Sequence, residues 1–185
     1  MRRAMPRITT NIVLMGMKHC GKTTLGAMLA RRLSREFFDL DRVVEGIEAE
    51  RLGRPVTARE IYRLRGKEAF QALEERALRE ILGTGSGGAD GVVVALGGGT
   101  IENGAALAIL REAGILVFLD EDEEVLFRRI EAGGLPPFLE GSSPRESFHD
   151  LYEKRTSLYR ERADLRVDLR GLGPGEGLDR LLELL

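Results

Sequence analysis

Eight consecutive residues, Gly16-Met17-Lys18-His19-Cys20-Gly21-Lys22-Thr23, constrain this chain more than any other feature. They fit the spacing G-x-x-x-x-G-K-[ST], and each fixed position has a physical task. Glycine at both ends allows a backbone that turns successive N–H groups inward toward an anion. The lysine can reach the β and γ phosphates of a nucleotide, and the threonine hydroxyl suits Mg²⁺. An ordinary glycine turn before a helix is the competing reading, and the flanks argue against it. Ile12 to Met15 is a short apolar run, and Leu25, Met28, Leu29 and Leu33 then recur at spacings of three and four. Strand, loop and helix thus follow in the order that aims the positive end of a helix dipole at a bound phosphate. The motif predicts an ATP site at Gly16, Cys20, Gly21, Lys22, Thr23 and Thr24, with Thr23 toward the metal. Cys20 and His19 are expected to matter through backbone more than side chain, although a thiol at a helix N-terminus can be reactive.

The rest of the chain repeats the alternation. Phe37 to Leu40 is a second short apolar run, broken by Asp39. Apolar periodicity predicts one helix over Ala58 to Leu82, then a glycine-rich turn over Gly83 to Gly91. Gly91 to Leu96 reads as a buried strand that stops at Gly97-Gly98-Gly99. Helix is predicted over Ala105 to Ala113, strand over Ile115 to Leu119, and helix over Glu123 to Glu131. Gly133 to Ser143 reads as a loop, Pro144 to Ala163 as helix and Arg166 to Leu169 as a last strand. Gly171 to Gly177 reads as a linker and Leu178 to Leu185 as a terminal helix. Valine-rich strands separated by helices predict an α/β fold of three layers, α/β/α, with a mainly parallel central sheet of about five strands. The 185 residues suit one domain spanning the whole chain, with residues 1–10 a frayed lead-in and Met5 an alternative start.

A net charge of −2 gives no electrostatic reason to expect nucleic acid or an anionic membrane as partner. No apolar run approaches the length of a membrane span or a signal peptide. One cysteine, Cys20, cannot form an internal disulfide or a zinc cluster, which suits a reducing cytoplasm. Nothing in the pattern demands more than a monomer. The acidic run from Asp120 to Glu124 reads as a solvated helix start.

After the first helix comes Phe38-Asp39-Leu40-Asp41. In a strand the two aspartates would share a face, and at the end of a second parallel strand they would face the phosphate loop. One could help hold Mg²⁺ and the other accept a proton from a substrate hydroxyl. Two solvated turn aspartates are the plainer alternative.

With these segments in place, the chain resembles the shikimate kinases, P-loop enzymes of the nucleoside-monophosphate-kinase-like fold. Phe38 to Glu45 resembles their aspartate-rich segment, and Leu96-Gly97-Gly98-Gly99-Thr100 their triple-glycine segment. Glu68 to Glu74 resembles their substrate helix, and Lys154 to Tyr159 the helix after their lid. Order and spacing agree from about Ile12 to Leu169. The resemblance implies an ATP-dependent kinase with catalytic Lys22 and Asp41, and with Thr23 and Asp39 at Mg²⁺. Gly97, Gly98, Gly99 and Gln71 would line the acceptor, Arg155 would grip its carboxylate, and Arg129 would pack on adenine. The lid would be residues 133–143.

Two positions depart from the pattern. Gln71 stands where the family carries an arginine, and Pro136-Pro137-Phe138-Leu139 replaces an Arg-Pro-Leu-Leu-like lid segment. Arg63, Arg65, Lys67 and Arg145 are the nearby cations that could compensate. The expected acceptor is shikimate. Homoserine is the alternative, since an ammonium would tolerate the loss of a cation. A kinase-derived module that binds nucleotide without turnover, and a nucleoside monophosphate kinase, are the remaining readings.

Overall fold

The computed structural model describes residues 10–83, 91–135, 139 and 143–185. The expected frayed lead-in, the glycine-rich turn beyond Gly83 and most of the expected lid, including Pro136, Pro137 and Phe138, lie outside the described residues.

Strand β1 (Asn11–Met15) is the middle of the sheet because it is apolar on both faces, Ile12 to Met15 being almost completely buried. It is flanked by β3 (Val93–Ala95) and β4 (Gly114–Asp120), with β2 (Phe37–Asp39) and β5 (Leu165–Asp168) at the edges. All four pairings are parallel, so the sheet is fully parallel rather than mainly so. The register decides where chemistry can happen. Leu14 pairs with Ala95, and Ala95 pairs with Asp39. The carboxyl ends of three adjacent strands therefore stop at one level, and the loops that leave them share one crevice.

Around the sheet lie α1 (Lys22–Leu33), α2 (Leu40–Leu52), α3 (Ala58–Gly83), α4 (Gly104–Ala113), α5 (Glu123–Ala132), α6 (Pro144–Arg162) and α7 (Pro174–Leu184). Three of these correct the sequence reading. Asp41 lies in the first turn of α2, not in a strand, so Asp39 and Asp41 are brought together by a strand-to-helix corner. The predicted single helix α3 is two arms, broken at Gly66, whose φ of 79° and ψ of 178° are non-helical. The predicted linker before the last helix is shorter, because α7 already starts at Pro174, with the Gly173 N–H donated to Glu176. Proline at the first helical position favours that start.

The acidic run is also not uniformly solvated. Asp120 is buried against Arg166 and Arg160, and Glu121 is buried beside Arg129. Asp122 does cap α5, accepting from the N–H groups of Glu124 and Val125.

Helix α1 rests so closely on the sheet that position 26 has no room for a side chain. A Cβ there would lie 2.4 Å from the Phe37 ring and 3.2 Å from Leu14 Cδ1. Gly26→Val should therefore lose about 1–3 kcal/mol of stability through overpacking. A thermal melt followed by circular dichroism should show Tm lower by several degrees; an unchanged Tm would mean that α1 shifts freely on the sheet.

Candidate active site

The phosphate loop joins β1 to α1. Gly16 (φ 149°) and Gly21 (φ 100°) take backbone angles that favour glycine. Lys22 is buried, and its ammonium donates to the carbonyls of Gly16 at 2.9 Å and Met17 at 2.8 Å. The charge is thus held inside the loop's own curve. Thr23 donates its hydroxyl to Asp39 Oδ2 at 2.7 Å, so the two oxygens predicted for the metal do meet. Both are hard donors of the kind that share Mg²⁺ with phosphate and water. Among the described residues no three histidine, cysteine or acidic side chains converge on a metal position. Thr24 is exposed in the first turn of α1. Arg129 donates to the His19 carbonyl at 3.0 Å and pairs with Glu121 at 3.2 Å, which places it on the loop's flank.

The three glycines after β3 are spacers, each for a different group. A Cβ at Gly97 would lie 2.6 Å from Asp41 Oδ1, one at Gly98 3.2 Å from the Lys18 N–H nitrogen, and one at Gly99 3.4 Å from Arg155 Nη2. Asp41, the phosphate loop and Arg155 therefore all converge on one turn of backbone. They open into a cavity of about 790 Å³, with Gln71, Glu74 and Glu102 on its wall.

Sequence reasoning missed several members of this site. Tyr159 is buried and stacks on Phe118 of β4 with ring centroids 5.1 Å apart. Its hydroxyl lies 2.6 Å from the Gly98 carbonyl and 3.0 Å from that of Gly16, donating its one proton between them. Behind the glycines, buried Glu74 accepts from Thr100 at 2.5 Å and from Asn103 at 3.0 Å. Glu102 takes Arg155 Nη2 at 2.8 Å and Lys154 at 2.5 Å. Gln71 reaches the Glu102 carbonyl only at 3.5 Å. Tyr159 lay inside a segment already singled out, and its one signal was an aromatic ring four residues beyond Arg155. Glu74 likewise closed a segment already singled out, with nothing to mark its side chain, and Glu102 carried no signal, because only the fold reveals an acid turned inward.

The compensating cations are now sorted. Arg63 and Lys67 line the cavity. Arg65 instead binds Glu48 at 2.8 Å, and Arg145 pairs with Glu124 and lies over the Phe127 ring, so neither joins the site.

The electrostatics favour a base. Burial, and then the neighbouring Asp39 carboxylate, raise Asp41 above the ordinary aspartate range, with Lys22 and Lys18 pulling the other way. Burial likewise raises Glu74. Burial pushes Glu102 up too, but hydrogen bonds from Lys154 and Arg155 hold it below the usual glutamate value.

A raised folded-state pKa means that ionised Asp41 works against folding. Its contribution is favourable in acid and is lost as pH rises through the raised value. Asp41→Asn should therefore raise Tm near neutral pH, and the gain should vanish as pH falls below the ordinary aspartate range. Melts across pH check this; a gain independent of pH would point to packing instead of charge.

Comparison with known proteins agrees with this geometry. The family model described as shikimate kinase matches residues 18–185. The shikimate kinase of Synechococcus sp. (strain RCC307) is 38% identical over 95% of this chain and 84% of its own. That of Geobacter sulfurreducens is 36% identical over 91% of this chain and 86% of its own. The solved shikimate kinase from Acinetobacter baumannii in complex with shikimate superposes with a TM-score of 0.77 at 29% identity, covering 96% of this chain and 90% of its own. The chain belongs to the shikimate kinase family.

Proposed function

We propose that this protein transfers the γ-phosphoryl group of ATP to a hydroxyl of shikimate. One observation carries the reading. Asp41, the phosphate loop and Arg155 all stand against the same three glycines, so a base, a phosphate site and a carboxylate-binding cation face one cavity. The relatives' common name, and shikimate in the Acinetobacter complex, supply the acceptor.

Each residue then has a task. Asp41 accepts the proton of the attacking hydroxyl, and its raised pKa makes it a stronger base than a solvated aspartate. Lys22 exchanges its carbonyl partners for phosphate oxygens and neutralises charge on the transferring group. Thr23 and Asp39 would hold Mg²⁺, which supplies further charge neutralisation at the β and γ phosphates. Backbone N–H groups of the loop, with Thr24 and Cys20 at the helix start, would cradle the remaining phosphates, and Arg129 would cover the base. Arg155, oriented by Glu102, would meet the acceptor's carboxylate. Residues 133–143 would be the lid, on one domain working as a cytoplasmic monomer.

A second reading has one observation of its own. Gln71 brings an uncharged amide to the cavity wall where the family carries an arginine, so the ammonium of a hydroxy amino acid such as homoserine would meet one cation fewer. A coupled ADP-release assay with Mg-ATP separates the two. Turnover on shikimate and not on L-homoserine is expected; the reverse would reassign the acceptor, and turnover on neither would favour a nucleotide-binding module.

Lys22→Ala should abolish turnover with the circular dichroism spectrum unchanged. Asp41→Asn should lower kcat by about 10²–10⁴ with ATP affinity, measured by calorimetry, preserved. Retained turnover in either variant would remove that residue from the mechanism.

A further inference from the structure

The acceptor reading leaves a deficit of positive charge. Position 71 is an amide, and half of the Arg155 fork is already committed, with Nε at 3.1 Å and Nη2 at 2.8 Å from one Glu102 oxygen. The other Glu102 oxygen holds Lys154. An anionic acceptor entering this cavity therefore meets one partly neutralised arginine on the α6 side.

The opposite wall is different. Arg59, Arg63 and Lys67 of α3 all line the same cavity and are exposed. None of the three donates a hydrogen bond or forms an ion pair among the described residues. Arg63 only pulls on Glu60 through space. Arg59 and Arg63 are four residues apart and so share a helix face, while Arg65 points elsewhere. Arg65 binds Glu48, an almost fully buried carboxylate that also holds Arg51 at 2.6 Å. That contact clamps the first arm of α3 onto α2 from outside and leaves the Arg59–Arg63 face toward the cavity. The break at Gly66 then turns the chain so that Lys67 continues the basic wall while the second arm carries Phe70 and Gln71.

We propose that Arg63 on the first arm of α3, with Lys67 just past the Gly66 break, binds the acceptor's carboxylate and so replaces the family arginine missing at position 71. This inference rests on shikimate as the acceptor. Arg63 supplies the planar two-point donor and Lys67 the adjacent point charge. The specificity pole of the site moves across the Gly66 break, away from α6.

Steady-state kinetics with Mg-ATP test it, using shikimate and its methyl ester, which lacks the negative charge. Arg63→Gln should raise KM for shikimate by about tenfold and leave KM for ATP unchanged, with kcat held within about twofold. The ester should be indifferent to the substitution. Adding Gln71→Arg to Arg63→Gln should recover most of the lost affinity, a rescue that a merely structural role would not allow. An unchanged KM in the Arg63→Gln, Lys67→Gln double variant would overturn the proposal while leaving shikimate as acceptor. So would an equal loss on the ester, or a loss in kcat alone, which would mark a phosphate contact. Absence of shikimate turnover in the unsubstituted protein would overturn the acceptor reading, and this inference with it.

Discussion

One phenol holds the site together. The hydroxyl of Tyr159 sits between the carbonyls of Gly16 and Gly98, which lie in the two loops leaving neighbouring parallel strands. Its ring stacks on Phe118, whose backbone pairs with Met15 at the end of β1. Burial raises the phenol's pKa, so it stays a neutral donor and never places a second anion beside the phosphate loop. Arg155 lies one turn earlier on α6 and Arg162 donates to the Ile101 carbonyl at 2.6 Å, so one helix fixes the glycine turn from both sides. The phosphate loop, the glycine turn and Arg155 are therefore positioned by the same rigid piece.

Behind that turn the protein uses charge sparingly. Glu74 is buried, yet it is satisfied by Thr100 and Asn103, and Asn103 in turn caps α4 by accepting from the Ala106 N–H. A buried acid with two donors supports the turn without bringing a competing cation into the cavity. Burial raises Asp41 as it raises Glu74, but without the two donors that Glu74 has. It is packed against Gly97 with another carboxylate nearby, so its ionised form is held at higher free energy and is primed to take a proton. The two acids flank the same turn and differ in their surroundings: Glu74 accepts from Thr100 and Asn103, while Asp41 faces Gly97 and the cavity.

Most of the frame was legible in the sequence. The phosphate loop, the strands starting near Ile12, Val92 and Ile115 and the helices flanking Arg129 and Arg155 follow from runs and periods that local sequence encodes. Helix α2 was not anticipated, although Leu40, Val44 and Ile47 mark its buried face, because Asp39 and Asp41 were read as a strand interruption. The break in α3 hid behind apolar residues that keep helical spacing on both sides of Gly66, and a lone glycine does not announce its φ. Asp120 and Glu121 were read as solvated because acids favour a helix start, and tertiary pairing with Arg166 and Arg129 buried them instead. The site's long-range pairs, Arg155 with Glu102 and Tyr159 with Gly16, join residues far apart in the chain and leave no local trace.

The packing of Cys20 has a practical consequence. It is the chain's sole thiol, it is buried, and a Cβ at Gly16 would lie 2.9 Å from its Sγ. Lys22 also approaches the sulfur at 3.8 Å. A sulfur folded under the loop in this way is shielded from alkylating reagents and peroxide until the loop opens. The rate at which the protein takes up a single thiol label thus becomes a clock for that opening, already present in the native sequence and free of competing cysteines.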